Sequence, residues 1–301
     1  MAPIQQANQF NALFGASLIA AFAGAVLLAF ACMAAEPPFD REKANALSPE
    51  KRRQYDVVFF NEIVMWNENS NRYRQDGFKE RKAEFQRMAA DGYLPAYVAL
   101  RLTNITSGTT THDPEALQML LRAAADGDLS ATCAVGVIPT EEGLWPERVR
   151  LETSLKMMIA GADKGHLACK ARYGGSKLLG VFEEIPVDRA AAMPMLLESA
   201  QAGYYIAIKS LFSLRQRQVF KGQFDFSDNA ELQRALCWGR LGEQQTNWTG
   251  FTYFLEKLRG YARAKNNPGL MAEALRLDPK RVPITQQAVT PTDCIQLETG
   301  R

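Results

Sequence analysis

Apolar and small residues recur along this chain on two scales, at helical spacing inside short stretches and again every 35 to 38 residues. The phrase that returns is Ala-x-x-Gly-x-(Leu/Tyr)-x-(Ala/Cys). It stands at Ala89, Gly92, Leu94, Ala96; at Ala124, Gly127, Leu129, Ala131; at Ala162, Gly165, Leu167, Cys169; and at Ala200, Gly203, Tyr205, Ala207. A fixed period of that size marks stacked supersecondary units. Seven residues before each glycine stand Phe85, Leu120, Met158 and Leu196, which share a helical face with the alanine three before it. The glycine ends that helix in the left-handed conformation. A second helix follows, in which a small residue (Ala96, Ala131, Cys169, Ala207) and a large one four places on (Leu100, Val135, Tyr173, Leu211) lie on one face. The pattern predicts an all-α chain whose residues 76–218 form four helix-turn-helix units stacked as an α-solenoid. In the fourth unit, Pro194 predicts a kink or a late start to the first helix, and in the third Arg172 replaces the small residue seen at Ala99, Ala134 and Ser210.

The flanks predict atypical capping helices, because the end units of a stack must shield an open core. Ser48, Pro49 and Glu50 make a helix start, and Phe59, Phe60, Ile63, Val64 and Trp66 supply its apolar face. That helix, within residues 36–75, is expected to cap the amino end. Residues 219–276 are expected to hold two further helices, Asp228 to Gly242 and Gly250 to Lys265, and a short one from Leu270 to Arg276. Residues 277–301 read as an extended tail.

The repeated phrase resembles the Sel1-like repeat family, relatives of the tetratricopeptide repeat. That family's unit also closes on Lys/Ala-Ala-x-x-Gly and reopens on a small-residue helix. The likeness covers about half the chain, residues 76–218, and implies a protein-binding platform that is not an enzyme and needs no cofactor.

The amino terminus changes the picture of where such a platform works. No charged residue precedes Glu36, and Ala12 to Ala35 is an almost unbroken apolar stretch ending in small residues before Glu36-Pro37-Pro38. Residues 1–35 therefore read as a signal peptide or membrane anchor. Three forms stay open: cleavage after the small residues, lipidation at Cys32, or an uncleaved anchor. All three place the body outside the cytoplasm, most simply in a periplasm, with membrane contact only through residues 12–35.

In an oxidising compartment the remaining cysteines, Cys133, Cys169, Cys237 and Cys294, have three ways to pair. Cys169 occupies a small-residue slot and is expected to be a buried thiol. Cys294 lies in a polar tail, where something should tie it down, and Cys237 is the nearest candidate by sequence. A Cys237–Cys294 disulfide is therefore expected.

Charge and chemistry add little. A net charge of +2, with 35 basic and 33 acidic residues and no long basic run, gives no sign of nucleic-acid binding. The cluster Lys51, Arg52, Arg53 reads as a solvated helix turn. His112 and His166 have no partner at metal-ligand spacing, and His166 reads as a variable surface position beside its glycine. Gly174-Gly175-Ser176-Lys177 lacks the rest of a phosphate loop.

Function is then expected on a surface. The variable aromatic and charged positions on the repeats, Tyr93, Tyr97, Arg101, His166, Lys170, Tyr204 and Tyr205, are the candidate contacts, since aromatics and arginine dominate interface energetics. The layout of leader, about four repeats, aromatic helix pair and polar tail is similar to exported Sel1-like immunity proteins. Those proteins neutralise phospholipase effectors of type VI secretion in the periplasm. That likeness implies a phospholipase partner blocked sterically. An envelope adaptor is the alternative. A β-lactam-binding or hydrolysing Sel1-like branch is a further one, although it pairs cysteines within each repeat, unlike this chain.

Overall fold

Four helices of this chain end in the same turn, and the rest of the architecture follows from it. Gly92, Gly127, Gly165 and Gly203 have φ of +88°, +94°, +91° and +88°, a region that costs any residue with a Cβ about 1–2 kcal/mol. At each, the glycine N–H donates to the carbonyl three residues back and the next N–H to the carbonyl five back. In the first turn Gly92 donates to Ala89 at 3.0 Å and Tyr93 to Met88 at 2.9 Å; in the last Gly203 donates to Ala200 and Tyr204 to Ser199, both at 3.0 Å. These bonds satisfy carbonyls that a helix end would otherwise strand.

The computed structural model describes residues 38–68, 77–104, 109–110, 113–137, 151–221, 229–246, 249–276 and 288–300. The chain divides into two compact units, Met1–Asp40 and Arg41–Arg301, and every described helix belongs to the second. These helices are α1 (Arg41–Ala46), α2 (Pro49–Glu68), α3 (Gly77–Ala90), α4 (Leu94–Leu102), α5 (Pro114–Ala125), α6 (Leu129–Val137), α7 (Leu151–Asp163), α8 (Leu167–Leu179), α9 (Arg189–Gln201), α10 (Tyr205–Lys221), α11 (Asn229–Thr246), α12 (Thr249–Ala264), α13 (Pro268–Arg276) and α14 (Pro291–Thr299). Among the described residues the fold is all-α apart from an antiparallel ribbon of two residues per strand, β1 (Thr103–Asn104) with β2 (Thr109–Thr110), in the α4–α5 connection.

The helices pack in sequence order. Within the pairs, α3 lies on α4, α5 on α6, α7 on α8 and α9 on α10; the second helix of each pair also meets the first helix of the next pair. The second helices touch each other in a row, α4 on α6, α6 on α8 and α8 on α10. Phe85, Leu120, Met158 and Leu196 are buried on the first helices, and Ala96, Ala131, Cys169 and Ala207 are fully buried on the second. A buried side chain of the former size contributes about 1.5–3 kcal/mol, and the small residues let the axes approach. Gly174 and Gly175 belong to this packing: a Cβ on Gly175 would stand 2.6 Å from Ser210 Oγ, and one on Gly174 3.2 Å from Leu196.

Four departures from the sequence-based expectations concern the helices. Pro194 sits inside α9, yet α9 starts as far ahead of its turn glycine as α7 does, with Asp188 capping it through a bond from the Ala191 N–H at 3.0 Å. The helix tolerates one missing backbone bond, since Leu196 and Ala200 beyond it are anchored in the core. A fifth turn of the same kind ends α12. Here Asn266 adopts φ +48°, its N–H donating to Arg263 and that of Asn267 to Ala262.

The tail is not extended throughout. Residues 291–299 form α14, opened by a capping box between Thr290 and Asp293, while 277–287 lie outside the described residues. Cys294 is joined to Cys237 of α11 by a disulfide, with Cα atoms 5.5 Å apart. Glu298 accepts from Trp238 Nε1 at 2.7 Å and from Arg215, which also holds Glu231 at 3.0 Å. Finally, α2 is more than an amino-terminal cap. It packs on α3, α8 and α10.

Candidate functional site

The residue that follows each turn glycine is Tyr93, Asp128, His166 or Tyr204. All four positions meet the environment of α2. Tyr93 donates its hydroxyl to Asp56 Oδ1 at 2.7 Å and sets its ring edge-on to Tyr55 and Phe59. Asp128 caps α6 through the Ala131 N–H at 2.9 Å, and its other oxygen accepts from Arg52 at 2.7 Å. His166 lies edge-on to Phe60, with Nε2 3.2 Å from Asp56 Oδ2. Beside the fourth turn, Asn61 donates to the Gly203 carbonyl at 2.9 Å and accepts the Tyr205 N–H at 2.8 Å.

The edge is closed at the first turn by α1. A Cβ on Gly92 would stand 2.4 Å from the Ala44 nitrogen, and Lys43 donates to the Ala90 carbonyl at 3.1 Å. Asp91 accepts from Lys51 at 2.8 Å and from the Tyr55 hydroxyl. Asp56 is the buried centre of the seam. Burial, and then its charge, hold the Tyr93 and Tyr204 hydroxyls well above the ordinary tyrosine range.

Of the seven expected contact residues, Tyr93, Tyr97, His166, Tyr204 and Tyr205 are buried. At Tyr93 and His166 the reason is the intramolecular helix α2, whose Asp56, Phe59 and Phe60 cover them; Tyr97 instead lies against Arg101 of its own helix. Arg101 and Lys170 are partly exposed but tie neighbouring units together. Arg101 Nε donates to Asp113, the cap of α5, at 2.7 Å, and Lys170 pairs with Glu198 of α9 at 2.7 Å. Of the cluster expected to be solvated, Lys51 and Arg53 are exposed, and Arg52 is partly buried against Asp128.

A second feature lies under the same helix. Cys169 is not a free thiol in the structure but is bonded to Cys133 of α6, joining the second helices of adjacent units, with Cα atoms 5.5 Å apart. The small-residue slot holds it, and the row of second helices brings Cys133 beside it. His166, expected at the surface, is 8% exposed, and its ring nitrogen and the two sulfurs lie within 4.8 Å of one another. Sequence spacing missed this cluster because His166 and Cys169 stand 33 and 36 residues from Cys133 and the carboxylate neighbour comes from α2. The one early signal was the histidine in a post-glycine slot beside a cysteine in a small-residue slot.

An open groove remains elsewhere. Phe212, Gln216, Arg217 and Phe220 of α10 and Gly250, Tyr253 and Lys257 of α12 line a cavity of about 430 Å³. Tyr253 is 56% exposed, and the Lys257 ammonium sits 4.6 Å from its ring centre.

His112, Cys32 and the apolar stretch 12–35 lie outside the described residues, and no helix of the described residues is long and apolar enough to cross a membrane. No protein family, curated protein or solved structure matches this chain.

Proposed function

We propose that this chain is an exported protein-binding scaffold, an α-solenoid of Sel1-like helix pairs, whose partner is a secreted phospholipase effector that it blocks by covering the active-site mouth. The observation that carries the scaffold reading is the turn repeated at Gly92, Gly127, Gly165 and Gly203 with one hydrogen-bond pattern, the mark of units stacked on a common plan. Two disulfides support export, since such bonds persist in oxidising compartments. The identity of the partner rests on the likeness of layout to exported immunity proteins of type VI secretion.

The contact surface moves with the structure. With the turn edge covered by α2, the aromatic groove of Phe220, Tyr253 and Lys257 replaces the seven expected residues as the partner surface. Exposed tyrosine beside a cation is the composition that dominates interface energies.

The test is a pull-down with the tagged full chain from envelope extracts of the source cell, followed by titration of any co-purifying lipase. A one-to-one complex that abolishes lipase activity, and is weakened tenfold or more by Tyr253→Ala, supports both scaffold and partner. Capture of a non-lipase envelope complex moves the reading to the adaptor alternative. A chain found only in the cytoplasm overturns it.

A further inference from the structure

We propose that, with its sulfurs reduced, this chain binds one Zn2+ between Cys133, Cys169 and His166, with Asp56 orienting the imidazole from α2. The three donors are buried and already lie within 4.8 Å of one another. Zn–S bonds of about 2.3 Å and Zn–N bonds of about 2.0 Å place tetrahedral donors roughly 3.3–3.8 Å apart, so side-chain adjustment of about an ångström suffices. Two thiolates and an imidazole form a soft donor set that suits zinc and leaves a fourth position open.

Two observations point to a ligand here. His166 stands at the N-cap of α8 without making a side-chain cap bond. Although Nε2 is 3.2 Å from Asp56 Oδ2, neither ring nitrogen is aligned for a hydrogen bond. A buried imidazole without hydrogen bonds is costly, and a metal bond on one nitrogen with a carboxylate bond on the other would satisfy both. The other is the donor cluster itself, which Gly161 of α7 makes room for: a Cβ there would stand 2.6 Å from Cys169 Sγ.

The disulfide and the metal site are alternative states of the same two sulfurs. A dithiol opens the Cys133–Cys169 bond by thiol–disulfide exchange, donating two electrons and two protons and leaving as its own disulfide. Zn2+ then displaces both thiol protons, so two protons are released per ion bound. Binding would lock α6 to α8, as the disulfide does, and would fix α2 through Asp56 as well.

The experiment uses the full chain, reduced without air by a phosphine, with helical content followed by circular dichroism. Zn2+ affinity is read by chelator competition, Co2+ serves as the optical probe, and alkylation mapping reports which cysteines the metal shields. The expected result is one ion per chain, a thiolate-to-cobalt band in the near ultraviolet, and Zn2+ protection of Cys133 and Cys169 but not of Cys237 and Cys294. Cys169→Ser should abolish uptake, and Asp56→Asn should weaken it 10–100-fold while keeping the two-thiolate band. The proposal is overturned if the reduced, helical chain takes up no metal or if protection falls on other cysteines. It is also overturned if reduction unfolds the chain, since no folded site would then exist. The protection map is read on the unmutated chain, so it decides the question even where a variant misfolds.

Discussion

The side-chain amide of Asn61 binds the backbone on both sides of Tyr204, donating to the Gly203 carbonyl at 2.9 Å and accepting the Tyr205 N–H at 2.8 Å. One side chain on α2 thereby serves the donor and the acceptor of a turn 142 residues away. Asn61→Ala should cost about 1–3 kcal/mol in urea unfolding, because both backbone groups lose a partner in a mostly buried setting. Hydrogen exchange at the Tyr205 amide should accelerate more than at Tyr93. Equal acceleration at both would mean that α2 is held by its apolar face alone.

The first and second turns have the same backbone but different neighbours. Gly92→Ala and Gly127→Ala should each cost about 1–2 kcal/mol for the left-handed conformation. Only the first adds a collision, because a Cβ there meets α1 at 2.4 Å while nothing stands within 4 Å of one on Gly127. The melting temperature should therefore fall further for Gly92→Ala. A smaller fall than for Gly127→Ala would remove α1 from the first turn.

The carboxyl terminus is tied by covalent and ionic means at one place. Cys294→Ser opens a loop of 57 residues, which the chain-entropy estimate values at about 4 kcal/mol. Peptide mapping should show the Cys237–Cys294 pair only without reductant, and α14 should lose exchange protection in the variant. Glu298→Gln should also loosen α14, because the partly buried Arg215 guanidinium loses one of its two carboxylates.

Acid should loosen α2 first at its amino end. Hydrogen bonds from Lys51 and Tyr55 hold the Asp91 carboxyl below its ordinary range. The stabilisation is thus present above the unfolded value of about 3.9 and is lost as pH falls through the lower folded value. Asp91→Asn should flatten the fall in stability below about pH 4. An unchanged acid limb in that variant would mean that other carboxylates dominate it.

The turns were legible in the sequence because each is specified by neighbours: a glycine, an apolar residue seven before it and a small one four after it. Their burial follows from that spacing at Phe85, Leu120, Met158 and Leu196. The fifth turn was hidden because Asn266 provides the positive φ without glycine. The course of α2 was hidden for a different reason. Its partners, Tyr93, Asp128, His166 and Gly203, are 37 to 142 residues away from it, and each is met by a different chemistry, so no repeated residue type announces the seam. Cys294 was legible as a residue needing a partner, since its surroundings in sequence are polar. The bond at Cys169 was hidden because a slot that accepts alanine says nothing of what lies across the next helix.

Arrays whose units touch only their neighbours melt from the ends inward, each unit with its own stability. Here α2 reaches from the first turn, at Asp91 and Tyr93, to the fourth, at Gly203 and Tyr205. Fraying of the first or the fourth unit therefore has to break contacts on a helix shared by the intervening turns. The chain should lose its structure in a single concerted transition, with a steep denaturant dependence set by the surface of the whole array. Its nucleus must also wait for contacts of large sequence separation, so it should fold more slowly than an open stack of the same length.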